Sequence, residues 1–119
     1  MLTGLNEENK KLYAWETEKT EGPFHCSECS GELLLRKGVK KTHHFAHKPP
    51  VNCLYGAGES EVHYKIKKEL YEYLSKQKNC TLCELERNLN SVRPDVSLHI
   101  NNKRVAIEIQ KSTIDIQSI

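Results

Sequence analysis

The string Cys26-Ser-Glu-Cys29-Ser-Gly31 narrows what this chain can become more than any other feature. Two thiolates separated by two residues grip one ion from a tight turn, and the glycine that follows permits backbone at positive φ. Such a pair is half of a tetrahedral site and needs two ligands downstream. His47 and Cys53 complete a Cys₃His set with the spacing C-x2-C-x17-H-x5-C. His44, in His43-His44-Phe45-Ala46-His47, is the alternative to His47. The chain has five cysteines, and an odd count without an export signal points to metal ligation or free thiols instead of a disulfide framework. A structural zinc closed by four protein ligands leaves no position for water or substrate, so this site folds a module and catalyses nothing itself. The plainer reading is buried thiols beside surface imidazoles. It leaves a region with few apolar residues and little else to hold it together.

Cys80-Thr-Leu-Cys83 is a competing pair that could join Cys26 and Cys29 in a Cys₄ site. It lacks the glycine, and it lies where apolar and polar residues alternate. The two thiols are therefore expected on opposite faces of a strand, both free, with Cys83 a small core residue.

The rest of the organisation follows from period. Met1–Leu5 and Lys11–Trp15 flank the polar turn Asn6–Lys10 as a hairpin would, and Leu33–Leu35 and His43–Ala46 are further short strands. Proline and glycine at residues 48–58 mark a boundary, giving domains 1–57 and 58–119. Beyond it Val62, Ile66, Leu70, Tyr73 and Leu74 recur at helical spacing and predict a helix over about Ser60–Gln77. Three strands follow, at 81–85, Asp95–Ile100 and Lys103–Gln110. The 119 residues suit one modest domain or two small modules, and net charge is only +2. That balance neither demands nor excludes nucleic acid. No run approaches the ~20 apolar residues of a membrane span, so no membrane partner and a cytoplasmic location are expected.

Pairing arithmetic sharpens the second half. Asn101-Asn102 suits a two-residue hairpin loop because asparagine tolerates the left-handed region. Ile100 then faces Lys103, and Val96/Ile107 and Leu98/Val105 form one apolar face. On the other face Ser97 meets Ala106 and Asp95 meets Glu108, with Gln110 two residues on. A slip of one residue would destroy the apolar face, so the register is well specified. Two opposed carboxylates repel unless a cation lies between them, and hard Mg²⁺ or Mn²⁺ prefers such oxygens. A solvated face that merely tolerates the pair is the alternative. Glu59, His63 and Lys67, four apart, would share a helical stripe if the helix includes Glu59. Ser60 as N-cap would instead leave Glu59 in the loop.

Taken in order, Phe24-His25-Cys26-Ser27-Glu28-Cys29, His44-Phe45-Ala46-His47, Gly58-Glu59-Ser60-Glu61-Val62-His63, Arg93-Pro94-Asp95-Val96 and Ala106-Ile107-Glu108-Ile109-Gln110-Lys111 resemble the competence protein CoiA-like family. The likeness runs over essentially the whole chain. It implies an α+β protein: a small zinc-ribbon-like β module, then an incomplete PD-(D/E)xK, restriction-endonuclease-like core made of a helix and an antiparallel three-stranded sheet. It implies Asp95 and Glu108 as Mg²⁺ ligands, Gln110 in the place of the superfamily's usual lysine, and Glu59 as the helix acid, with Glu61 as substitute. It also implies processing of DNA taken up by competent cells, with recombination proteins as partners. Gln110 does not ionise at neutral pH and could only position water, whereas His63 could take a proton and Lys67 could neutralise phosphate charge.

That superfamily core continues with a second helix and a further strand, for which Ser112–Ile119 is too short. Either the core is shortened or a second chain completes the sheet, and without that cover Val96, Leu98, Ile107 and Ile109 are expected to be partly exposed. Two other functions stay open: a non-catalytic nucleic-acid-binding module gripping phosphates through Arg36, Lys37, Lys40 and Lys41, and a scaffold completed by a partner chain. An ordinary solvated turn explains the same four cations.

Overall fold

In the computed structural model, which describes residues 1–50, 53, 55, 59–89, 93–109 and 114–118, Asn6 organises the first turn. Its Oδ1 accepts from the backbone N–H groups of Glu8 and Lys10, each at 2.9 Å, and Asn9 takes φ 61°. An asparagine side chain that mimics a turn carbonyl closes such a loop without glycine. Strands β1 (Thr3–Leu5) and β2 (Lys11–Tyr13) pair antiparallel from it, Thr3 opposite Tyr13 and Leu5 opposite Lys11.

Three further strands, β3 (Phe24–His25), β4 (Glu32–Arg36) and β5 (His44–His47), complete a sheet ordered β2-β1-β3-β4-β5. Along β4 burial alternates strictly: Leu33 and Leu35 point inward, while Glu32, Leu34 and Arg36 point outward. This is the period of a half-buried antiparallel strand. The core is Met1, Ala14, Phe24, Cys26, Leu33, Leu35 and Phe45, with the Phe24 and Phe45 rings edge-on at 5.1 Å. Gly4 allows that closeness, since a Cβ there would lie 3.1 Å from Leu33 and 3.2 Å from the Phe45 ring.

The chain divides into two compact units, Met1–Tyr64 and Lys65–Ile119. Helix α1 spans Glu61–Ser75. Ser60 caps it, its Oγ accepting from the His63 N–H at 3.2 Å, which leaves Glu59 in the preceding loop. The buried stripe differs from the expected one. Val62 and Tyr73 are 62% and 65% exposed, whereas Tyr64 and Lys67 are buried. Lys67 turns inward because acidic partners wait there, and the helix rotates its face accordingly.

The second sheet is ordered β6-β7-β8-β9, from β6 (Cys80–Leu85), β7 (Val96–Ile100), β8 (Lys103–Ile109) and β9 (Ile114–Ser118). The β7–β8 hairpin has the register read from sequence, Val96 opposite Ile107 through Ile100 opposite Lys103, with Asn101 and Asn102 at φ 50° and 68°. Two departures stand out. A fourth strand, β9, pairs antiparallel with β8, Ile109 opposite Ile114, where only three strands were expected. In addition, Val96, Leu98, Ile107 and Ile109 are all buried, so the expected exposure of that face does not occur.

Cys80 and Cys83 correct a third expectation. A bulge between Thr81 and Glu84, with Leu82 at φ 51°, interrupts the alternation in β6. The extra residue shifts the register, so the strict alternation that would send the two thiols to opposite faces does not hold across it. Burial first, then the neighbouring thiol, push Cys83 up to about 12. Both remain free thiols.

Candidate metal centre and carboxylate site

The first unit assembles its candidate centre from a turn, a strand and a loop. Cys26 and Cys29 sit on a knuckle closed by backbone bonds from the Cys26 N–H to the Gly31 carbonyl (2.9 Å) and from the Ser30 N–H to the Cys26 carbonyl (3.0 Å). Both sulfurs also accept from the turn: Cys26 Sγ from the Glu28 N–H at 3.3 Å, Cys29 Sγ from the Gly31 N–H at 3.4 Å. The left-handed residue is Ser30, at φ 61°, and not Gly31. Glycine at 31 serves close approach instead, for a Cβ there would lie 3.2 Å from Cys29 Sγ.

His47 at the end of β5 and Cys53 beyond it bring their donor atoms to this knuckle. One ligand atom from each of Cys26, Cys29, His47 and Cys53 lies within 4.8 Å of all the others. His47 Nε2 is buried and has no hydrogen-bond partner among the described residues. A buried ring nitrogen without a partner is costly, and facing three sulfurs it fits a soft-to-borderline cation such as zinc. Burial pushes the Cys26 thiol up to about 12, while the Gly31 N–H pulls Cys29 below its ordinary value. His44 takes another position: its Nδ1 is 3.1 Å from the Thr42 carbonyl, and its ring stacks on Tyr64 at 4.6 Å. Glu61, the substitute helix acid, accepts from the Thr42 N–H and hydroxyl at 2.8 and 2.6 Å, which holds its carboxyl below the usual range. Glu59 places one carboxylate oxygen 3.3 Å from His63 Nε2 and the other 3.2 Å from the Met1 ammonium.

In the second unit the carboxylate site is built around a lysine. Lys67 Nζ is 2.8 Å from Glu86 Oε2 and 3.4 Å from Asp95 Oδ1, and Lys67 and Glu86 are only 1% and 3% exposed. A buried ammonium must be paired to remain charged, so the three side chains behave as one group. Asp95 occupies the bend just before β7 and is fixed twice more. Its Oδ2 accepts from the Ile109 N–H at 2.7 Å, and its carbonyl accepts from the Glu86 N–H at 3.0 Å. Glu108 is the residue before that donor, and it is exposed between the buried Ile107 and Ile109. Gln110 lies outside the described residues.

Asp95 and the β8 segment carrying Glu108 are thus linked directly, through Asp95 Oδ2 and the Ile109 N–H. Lys67 is held inside the unit and not presented on its surface. Glu86 escaped the sequence reading altogether. A faint signal existed, because Tyr64, Lys67, Tyr71 and Leu74 share one helical stripe, which predicts a buried cation in need of an acid. Nothing local says which acid answers it.

An α+β unit preceded by a small β module with a Cys₃His cluster is the class these features define, and comparison with known proteins narrows it. Residues 6–56 match the family model described as competence protein CoiA, N-terminal domain, and residues 59–119 match the one described as competence protein CoiA, nuclease-like domain. The chain belongs to the CoiA competence protein family. Competence protein CoiA of Bacillus subtilis (strain 168) is 36% identical over 92 residues, which cover 76% of this chain and 25% of that relative. The chain therefore spans about a quarter of the relative's length. No solved structure matches it. Among the described residues, no helix is long and apolar enough to cross a membrane.

Proposed function

We propose that this chain is a divalent-metal-dependent nuclease unit that hydrolyses phosphodiester bonds in DNA, stabilised by a structural zinc at Cys26, Cys29, His47 and Cys53. The observation that carries the reading is the fixed placement of Asp95. Lys67 and the Ile109 N–H hold its carboxylate against the β8 segment that bears Glu108. Such a carboxylate loses little further freedom on binding an ion, which is the value of pre-organisation. Membership of a family with a nuclease-like domain supports the same reading.

Asp95 and Glu108 offer hard oxygen donors of the kind Mg²⁺ or Mn²⁺ selects. A bound ion supplies Lewis-acid stabilisation of the phosphoryl oxygens and an acidified water. The chain's own residues do the rest. Lys67 steadies Asp95 from behind and offsets part of its charge. Gln110 is assigned the positioning of water, which its non-ionising amide suits. Glu59 and His63 are assigned to the same chemistry from the sequence pattern, His63 as the group able to carry a proton. DNA in the context of competence is the proposed substrate, with recombination proteins as the proposed partners.

The test is a gel assay with Mn²⁺ or Mg²⁺ on plasmid DNA, single-stranded DNA and RNA, using this chain and a longer natural version. Cleavage that needs the metal and vanishes in Asp95→Ala and in Glu108→Ala supports the assignment. Nicking that persists in the double variant removes it.

A further inference from the structure

The outward face of β4 borders an open groove of about 880 Å³ in the first unit. Pro23, Phe24 and Leu34 supply apolar surface, and Lys19, Arg36 and Lys41 stand around it. None of the residues lining this groove is acidic. Three of the four cations in the sequence patch, Arg36, Lys37 and Lys41, line it, and tertiary structure adds Lys19. Lys37 is already committed, with Nζ 3.0 Å from the Thr17 carbonyl and 3.1 Å from Glu18 Oε2. Lys19, Arg36 and Lys41 form no ion pair among the described residues. A surface that merely keeps a protein soluble mixes both signs and does not gather one sign around an apolar floor.

We infer that this groove is a binding site for single-stranded nucleic acid, phosphates lying against Lys19, Arg36 and Lys41 and base faces lying on the Leu34–Pro23 floor. Charge complementarity selects a polyanion. The floor selects among polyanions: an unpaired strand can turn its bases onto an apolar surface, whereas a duplex keeps them stacked inside. An acidic peptide matches the charge but brings no flat apolar faces. The inference is independent of the cutting reading, because binding is measured without added Mg²⁺ or Mn²⁺.

The experiment is fluorescence anisotropy on the zinc-loaded chain with a labelled 20-nucleotide oligo-dT, its RNA counterpart, a 20-base-pair duplex and unlabelled poly-glutamate as competitor. The single strand should bind at least ~tenfold more tightly than the duplex, since base contacts add to phosphate contacts. The variant Arg36→Glu with Lys41→Glu should weaken binding at least ~tenfold and lower the log–log salt slope by about 1.4, the loss of two single-strand phosphate contacts. Leu34→Asn should cost ~threefold and leave the salt slope alone, because it touches bases only. The control, Lys10→Glu with Lys103→Glu, changes net charge equally at residues that do not line the groove and should stay within about twofold. Should the double reversal fail to fold, Arg36→Gln and its salt slope decide instead.

Binding equal to wild type in the groove variants would overturn the inference. So would equal weakening by the control, a duplex that binds as well as the single strand, or effective competition by poly-glutamate. Asp95→Ala and Glu108→Ala are read only in the cleavage assay, and the groove variants only in this metal-free binding assay. Failure of the groove and failure of the nuclease assignment are thereby told apart.

Discussion

The two units solve the same problem in different ways. Each has about sixty residues, a size at which an apolar core alone is marginal. Among its described residues Met1–Tyr64 has five short strands, one of only two residues, and gathers four side chains able to ligate a metal beside its small core. Lys65–Ile119 has a longer antiparallel sheet, a fully buried apolar face and a charged cluster sunk into it. On the proposed reading the first unit spends its unusual residues on holding itself together. The second is held by a packed apolar face together with the buried Lys67–Glu86 pair, and Asp95 is tied to that pair.

Removing metal ligation should break this comparison most severely. Cys26→Ser is expected to abolish the proposed zinc binding and unfold the first unit, since structural zinc contributes on the order of 10 kcal/mol to such modules. Amide protection should be lost from β3–β5 and kept in β7–β8, with zinc read by elemental analysis. Protection retained in both units would show that the first core is sufficient without metal.

Next in size is Lys67→Met, which removes the ammonium from the buried Glu86 and the half-buried Asp95. A cost of about 3–5 kcal/mol is expected in urea unfolding, largely restored by adding Glu86→Gln. If the single variant is as stable as wild type, the three side chains are not one group. Asp95→Ala should come third, at about 1–3 kcal/mol, because the Ile109 N–H loses its acceptor. Glu108→Ala, by contrast, should move stability by less than about 0.5 kcal/mol, being an exposed residue with no core role. Yet it should depress cleavage by at least ~10²-fold, the scale on which charge-stabilising groups contribute. That split between stability and activity is the sharpest way to separate structural from functional acids in the second unit.

The smallest effect concerns Glu61. Its folded carboxyl titrates below the ordinary value of 4.5 because Thr42 donates to the charged form. The contribution is therefore present at neutral pH and fades as pH falls through the folded value. Replacement by glutamine should lower stability at pH 7, and the gap to wild type should close towards acid, followed by Trp15 fluorescence. A gap constant across that range would mean that the Thr42 contact does not depend on the charge.

The sequence by itself determined whatever depends on spacing. The Cys26–Cys29 turn and the Asn101-Asn102 hairpin with its register follow from chain stereochemistry and alternation, because each involves residues that constrain one another locally or through a period. It determined far less about what lies across the fold. Only tertiary structure rotated α1 to bury Lys67 and named Glu86 as its counter-ion. Only tertiary structure bulged β6 and broke its alternation between the two thiols, laid β9 against β8, and drew Lys19 to the basic turn near Arg36. In each case the deciding term is a long-range pairing energy. Such an energy attaches to two positions brought together by folding and leaves little mark on either one alone.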